Sequence, residues 1–167
     1  MWRAWLKFGG GWFDISDVEL LPNSMSFRVI STLDIDDESE IPADFTGRVR
    51  RSFNGFESYV AWFLNGRLDN PGRNHPAYRR FRATGQVKYE MFYERGQLHD
   101  PSDRDPAVRG YFANGMLHYE EHYRDGKRND AANGNPAVSK WRADGTLRHQ
   151  LRFNNGRRVT GRHAAAL

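Results

Sequence analysis

The segment MFYERGQLHDPSDRDPAVRGYFANGMLHYE, residues 91–120, decides the fold because its glycine and proline pattern recurs on both sides of it. Residues 61–90 and 121–150 repeat the pattern, and partial units precede and follow these three. The residues that share the thirty-residue spacing are Gly66, Gly96, Gly126 and Gly156; Gly55, Gly85, Gly115 and Gly145; and the pairs Pro76-Ala77, Pro106-Ala107 and Pro136-Ala137. A fixed period of this length indicates a repeat architecture.

Each unit contains stretches in which apolar and polar residues alternate. In MLHYEEHY (116–123) the side with Leu117 and Tyr119 is mostly apolar, and the side with His118 and Glu120 is polar. Alternation with a period of two is typical of a β-strand with one buried face, and glycine suits the tight turns that follow such strands. Each unit is therefore predicted to fold as strand, turn, strand, turn.

Turn length determines which residues face each other across each hairpin. A three-residue loop at ATG, ANG or ADG (83–85, 113–115, 143–145) combines a type I turn with a final residue of positive φ, where glycine fits best. The cross-strand pairs that this loop predicts are Phe81 with Val87, Tyr111 with Leu117, and Trp141 with Leu147. All six residues are expected on the buried side.

One hairpin cannot bury its apolar face alone, whereas stacked hairpins can. The sequence therefore predicts an all-β fold, an elongated antiparallel sheet of tandem hairpins over residues 45–167, with the Pro-Ala segments as crossing loops. Residues 1–44 fall outside the repeat register. They are predicted to form an N-terminal β cap that carries an acidic loop.

The composition places limits on the class of protein. Hydrophobic residues make up 38% and aromatic residues 14%, and the chain has no cysteine, which excludes disulfides and thiolate chemistry. We see no signal-peptide pattern and no apolar run long enough to span a membrane, so a cytoplasmic location is expected. Charge is uneven: residues 1–44 carry nine acidic and three basic side chains, although the whole chain has a net charge of +4.

The stretch HYEEH (118–122) matches a zinc-peptidase letter pattern that requires a helix. On a strand, His118 and His122 would be about 13 Å apart, since a strand rises about 3.3 Å per residue. Two ligands of one zinc ion lie within about 2.1 Å of it. Because no other catalytic motif is present, we predict that the protein is not an enzyme and has no metal site and no cofactor.

The units WFLNGRLDNPGRNHPA (62–77), YFANGMLHYEEHYRDGK (111–127) and WRADGTLRHQLRFNNGR (141–157) resemble MORN-variant repeats of the YwqK-type antitoxin family. The resemblance covers about residues 45–161. It implies a non-catalytic bacterial immunity protein, or antitoxin, that neutralises a cognate toxin by direct binding.

Two groups of residues are candidates for partner binding. One is a row expected on the exposed sheet face: Lys88, Glu90, Phe92, His118, Glu120, His122, Arg148 and Arg152. The other is the acidic stretch: Asp34, Asp36, Asp37, Glu38 and Glu40. Two further functions stay open. The basic sheet is compatible with binding of nucleic acid or an anionic membrane surface, and the open ends of a hairpin array are compatible with a structural or assembly role.

Overall fold

A computed structural model describes residues 5–8, 11–14 and 32–160, which form strands, turns and one 3-10 helix. In chain order the strands are β1 (Trp5–Phe8), β2 (Gly11–Asp14), β3 (Thr32–Asp34), β4 (Gly47–Phe53), β5 (Phe56–Leu64), β6 (Arg67–Leu68), β7 (Tyr78–Phe81), β8 (Val87–Met91), β9 (Tyr93–Glu94), β10 (Gln97–Leu98), β11 (Val108–Tyr111), β12 (Leu117–Glu121), β13 (Tyr123–Arg124), β14 (Lys127–Arg128), β15 (Val138–Trp141), β16 (Leu147–Leu151), β17 (Phe153–Asn154) and β18 (Arg157–Arg158). The 3-10 helix is Glu38–Glu40. The all-β prediction is confirmed for the described residues.

The main sheet has ten strands, and consecutive hairpins are neighbours in the order β16-β15-β12-β11-β8-β7-β5-β4-β3, with β6 paired to β5. The hairpins β7–β8, β11–β12 and β15–β16 come from the three repeat units. The prediction was a wholly antiparallel sheet, but β3 pairs in parallel with β4 at one edge. Residues 35–46, which include the 3-10 helix, return the chain so that β4 runs in the direction of β3.

The predicted N-terminal β cap falls mainly on residues outside the described ranges. Within it the structure gives the antiparallel pair β1–β2 and the edge strand β3. The cap as a whole therefore stays a prediction. In the described part of the chain, no helix has the length and hydropathy needed to cross a membrane.

Each repeat strand is interrupted after Met91, Glu121 or Leu151, and a short hairpin follows. The short hairpins β9–β10, β13–β14 and β17–β18 stack on one another. Their turn glycines donate backbone hydrogen bonds to the preceding unit: Gly96 to Leu68 (2.9 Å), Gly126 to Leu98 (2.9 Å) and Gly156 to Arg128 (2.8 Å). The units are thus joined along two rows, through the main sheet and through the short hairpins.

A bulge in each repeat hairpin changes which face its end residues occupy. Arg80 pairs with Tyr89 but Phe81 pairs with Val87, so Lys88 is an extra residue in β8. The equivalent shifts occur in the β11–β12 and β15–β16 pairs. The three predicted cross-strand pairs are confirmed. Their predicted side is wrong, because Phe81 lies two residues from Arg79 on an unbroken strand and shares its face.

The inner face, defined by Tyr59, Tyr78 and Tyr89, is the buried side of the sheet. Tyr59 and Tyr78 stack with ring centroids 5.3 Å apart, and Tyr78 and Tyr89 with centroids 5.9 Å apart. Near β4 and β5, Val49 and Ile35 complete the core. The short hairpins contact this side, since the Tyr93 hydroxyl lies 3.6 Å from the Met91 sulfur. The opposite side is called the outer face below.

Candidate functional site

A ladder of side chains, polar except for the buried Val60, crosses the outer face from strand to strand. The register places in one row Asp34, Arg50, Val60, Arg79, Glu90, Arg109, Glu120, Ser139 and Gln150. Arg79 pairs with Glu90 at 3.2 Å, and Arg109 pairs with Glu120 at 3.4 Å. Directly opposed side chains are close enough to interact, so the repeat builds alternating charges into the surface.

An apolar stripe lies beside this ladder on the outer face. It consists of Phe81, Val87, Tyr111, Leu117, Trp141 and Leu147, which are half-buried except for the exposed Leu147. The Tyr111 hydroxyl donates a hydrogen bond to Glu90 at 3.0 Å, which links stripe and ladder. Burial, together with the neighbouring Glu90 carboxylate, raises the pKa of Tyr111 to about 12. Tyr111 therefore remains a neutral donor at physiological pH.

Members of the predicted row occupy three different environments. Glu90 and Glu120 lie in the ladder on the outer face, but their side chains are only 13% and 26% exposed, which is less than the exposed row that was predicted. Lys88, His118 and Arg148 are the extra residues of the three bulges. The His118 ring packs against Phe112 on the inner side, with centroids 4.2 Å apart.

The remaining members lie where the strand is interrupted. Phe92 is 4% exposed and His122 is 3% exposed, so the expectation that both display side chains on the surface is wrong. Arg152 is exposed and binds the Asp130 carboxylate at 2.8 Å. The alternation of a single continuous strand does not extend through these positions, because the chain turns there into the short hairpin. A partner-binding role for any of the row stays a prediction.

A side-chain latch closes each repeat unit. The first oxygen (Oδ1) of Asn70, Asp100 or Asp130 accepts two backbone hydrogen bonds, one from the alanine of the Pro-Ala pair and one from the first residue of the next short hairpin. The donors are Ala77 (3.0 Å) and Tyr93 (2.9 Å), Ala107 (2.8 Å) and Tyr123 (2.9 Å), and Ala137 (2.9 Å) and Phe153 (3.0 Å). The latch holds the crossing loop closed and fixes the next unit against it.

The second terminal atom of the latch side chain, a nitrogen in Asn70 and an oxygen in Asp100 and Asp130, varies together with the residue at the strand break. In the first unit the latch residue is the neutral Asn70, and the residue at the strand break is the apolar Phe92. The Asp100 second oxygen (Oδ2) lies 2.7 Å from His122 Nδ1, and the Asp130 second oxygen lies 2.8 Å from Arg152. Where the unit has a carboxylate, the chain thus supplies a basic partner. This matters most for Asp100, which is largely buried with His122, since an unpaired buried charge is costly. His122 in HYEEH is therefore a latch residue.

A similar exchange explains Glu121, which falls on the apolar side of its strand. Glu121 accepts hydrogen bonds from the Tyr123 hydroxyl (2.8 Å) and from Arg128 Nη2 (2.9 Å). The equivalent residues one unit earlier are Met91 and Leu98, an apolar pair. The polar pair thus replaces an apolar pair at the same place in the fold.

Most of the acidic stretch is used for local structure. Asp34 forms a two-bond ion pair with Arg50 (2.6 and 3.0 Å), and hydrogen bonds from Arg50 lower the pKa of the Asp34 carboxyl. Asp37 and Glu40 form a capping box at the 3-10 helix. Asp36 and Glu38 make no side-chain hydrogen bond or ion pair with other described residues, so they are the members of this stretch that are available to a partner.

Sequence reasoning missed the ladder arginines, the stripe and the latches. The latches had a signal: Asn70, Asp100 and Asp130 are thirty residues apart, and their character changes in step with the residue twenty-two positions later.

Comparisons with protein-family models, with curated proteins and with solved structures find no match to this chain.

Proposed function

We propose that the protein is a non-catalytic binding protein that recognises a protein partner with its outer face. The stripe beside the ladder carries this proposal. Arg, Tyr and Trp are the residues most enriched at the energetic centres of protein interfaces. The outer face offers Arg109, Tyr111 and Trp141, and the exposed Leu147 lies opposite Trp141 on the edge strand β16. Because the ladder charges are already paired, a partner can cover them without leaving them isolated.

The alternating charges favour a protein over a polyanion on this face. Glu90 and Glu120 lie between the arginines, and a line of phosphates would meet both carboxylates. The inner tyrosines do not offer a stacking platform either, because Tyr59, Tyr78 and Tyr89 present their ring faces to one another. Base stacking requires free ring faces.

The partner that we propose is a cognate bacterial toxin, which the protein would neutralise by direct binding as an immunity protein. This step relies on the resemblance of the repeat units to MORN-variant antitoxins. The proposal also requires a cytoplasmic site of action, where the toxin would be blocked.

The test is co-expression with the product of the adjacent gene. We expect that product to arrest growth, this chain to restore growth, and the two proteins to elute as one complex. Leu147→Glu is expected to weaken the complex at least ten-fold, because it places a charge in the apolar stripe next to Trp141. Val159→Glu is the matched control, since Val159 is 49% exposed and Leu147 is 46% exposed. A non-toxic neighbour, no complex, or equal effects of the two substitutions would refute the proposal.

Polyanion binding is a second candidate, and a separate surface favours it. The last two short hairpins carry Arg124, Lys127, Arg157 and Arg158, none of which has an ion-pair partner among residues 32–160. If this surface binds polyanions specifically, the protein should stay on a heparin column at more than about 0.2 M salt. If the attraction is only nonspecific charge, the protein should elute before that salt concentration is reached.

A further inference from the structure

The β4–β5 hairpin ends in an exposed pair of aromatic rings. Phe53 and Phe56 face each other across the turn Asn54-Gly55, and they are 72% and 56% exposed. Both turn residues have positive φ (51° and 81°), which matches a tight two-residue hairpin turn. The hairpin therefore presents both rings from a short turn.

This apex differs from the tips of the repeat hairpins. Those tips are Ala-Thr-Gly, Ala-Asn-Gly and Ala-Asp-Gly (83–85, 113–115, 143–145), and only the second is flanked by two large apolar residues, Phe112 and Met116. β4 and β5 have seven and nine residues, whereas the paired strands of the repeat hairpins have four and five. The far end of β5 is used in the sheet, where Phe63 and Leu64 pair with β6, whereas Phe53 and Phe56 at the apex remain exposed.

The base of the hairpin is held firmly. Arg48 forms an ion pair with Glu57 at 3.2 Å, and the Ser58 hydroxyl donates a hydrogen bond to the Arg51 carbonyl at 3.0 Å. A well-held base lets the apex enter a pocket with little loss of conformational entropy.

Negative charge lies near the apex. Phe53 is on the same side of β4 as Arg51, which pairs with Tyr59. β3 runs parallel to β4 with Asp34 opposite Arg50, and the Ile35 amide donates a hydrogen bond to the Arg50 carbonyl at 3.0 Å, so the acidic stretch that follows continues toward the apex beside Arg51. An aromatic apex close to carboxylates suits a protein pocket with a basic rim better than an anionic membrane, which the carboxylates would oppose.

We propose that Phe53 and Phe56 anchor the protein partner by inserting into an apolar pocket of that partner, and that lysine or arginine side chains on the pocket rim bind Asp36 and Glu38. The inference rests on the proposed binding of a protein. It assigns a second contact, separate from the outer face. Aromatic side chains that fill a partner's pocket commonly dominate binding energy.

The test measures the affinity of the purified neighbouring-gene product for Phe53→Ser and Phe56→Ser variants. We expect each substitution to weaken binding about 30-fold or more, as for an interface hot spot. Val159→Ser is the control, because it removes an exposed apolar side chain elsewhere. Glu38→Lys should also weaken binding, since it removes a charge pair from the rim. For the same reason, the affinity of this variant should depend less on salt than that of the unsubstituted chain.

Different outcomes separate this inference from the proposed function. If Leu147→Glu abolishes the complex while both phenylalanine variants bind normally, the anchor is refuted and the proposed function stands. If no complex forms, both are refuted. Binding of the unsubstituted chain to phosphatidylserine vesicles that is lost in the Phe53→Ser variant would assign the apex to a membrane and refute the anchor. Loss of self-association in the same variant would assign it to a second copy and also refute it.

Discussion

Replacing one latch by the latch of the preceding unit tests how the repeat is held together. His122→Phe leaves the Asp100 second oxygen without the partner that lies 2.7 Å away. Because His122 is 3% exposed and the Asp100 side chain 16% exposed, we expect a loss of about 2–3 kcal/mol, below the range for fully buried pairs. Asp100→Asn removes the charge but can keep the two backbone hydrogen bonds, and should cost about 1–2 kcal/mol.

The double variant Asp100→Asn/His122→Phe reproduces the pair Asn70 and Phe92, which the protein already contains. Its free energy of unfolding should lie within about 1 kcal/mol of the unsubstituted chain, so the two substitutions should be strongly coupled. Urea unfolding followed by circular dichroism measures all three variants. Amide hydrogen exchange at Tyr123 reports whether the latch stays closed.

Asn70→Asp provides the converse control, since it places a carboxylate beside Phe92 and should destabilise the chain. Adding Phe92→His should recover most of the loss. Losses that simply add, with a coupling below about 0.5 kcal/mol, would refute the paired-latch reasoning.

Two further predictions concern the packing of Gly110 in the central strand β11 and the stability of the chain at low pH. Gly110→Ala should destabilise the chain by about 1–3 kcal/mol in thermal unfolding, because a Cβ there would overlap the Tyr119 ring. As a control, the same substitution should destabilise a Tyr119→Leu variant less. A hydrogen bond from Ser102 lowers the pKa of Asp105 in the folded state, so its stabilising effect is present above the ordinary value near 3.8 and is lost as pH falls through the folded pKa. Asp105→Asn should therefore cost more at pH 6 than at pH 3, by less than about 1 kcal/mol since the side chain is exposed, and an unchanged difference in urea unfolding would contradict this.

The fold was predictable from spacing, because a thirty-residue period and two-residue alternation depend on local turn and strand preferences. The cross-strand pairing of Phe81 with Val87 followed from the turn length alone. Their side of the sheet did not, because the bulge at Lys88 adds one residue and reverses every side chain beyond it. Nothing in the letters around Lys88 distinguishes a bulged strand from a regular one.

The candidate site was only partly predictable for a related reason. Glu90 and Glu120 were placed on the outer face correctly, because they lie between the bulge and the strand break. Phe92 and His122 lie at the break itself, where alternation no longer applies. The pairing of His122 with Asp100 joins residues twenty-two positions apart through a loop, and strand periodicity carries no information about such contacts.

The separation of the outer stripe from the inner tyrosines is the central claim, because the proposed binding face exists only if the bulge reverses these side chains. Nuclear Overhauser effects from the Tyr111 ring measure it directly. The structure predicts contacts from this ring to the side chains of Leu117 and Glu90, and none to the Tyr119 ring. Strong contacts between the Tyr111 and Tyr119 rings would show an unbroken strand and would contradict the assignment of the outer face.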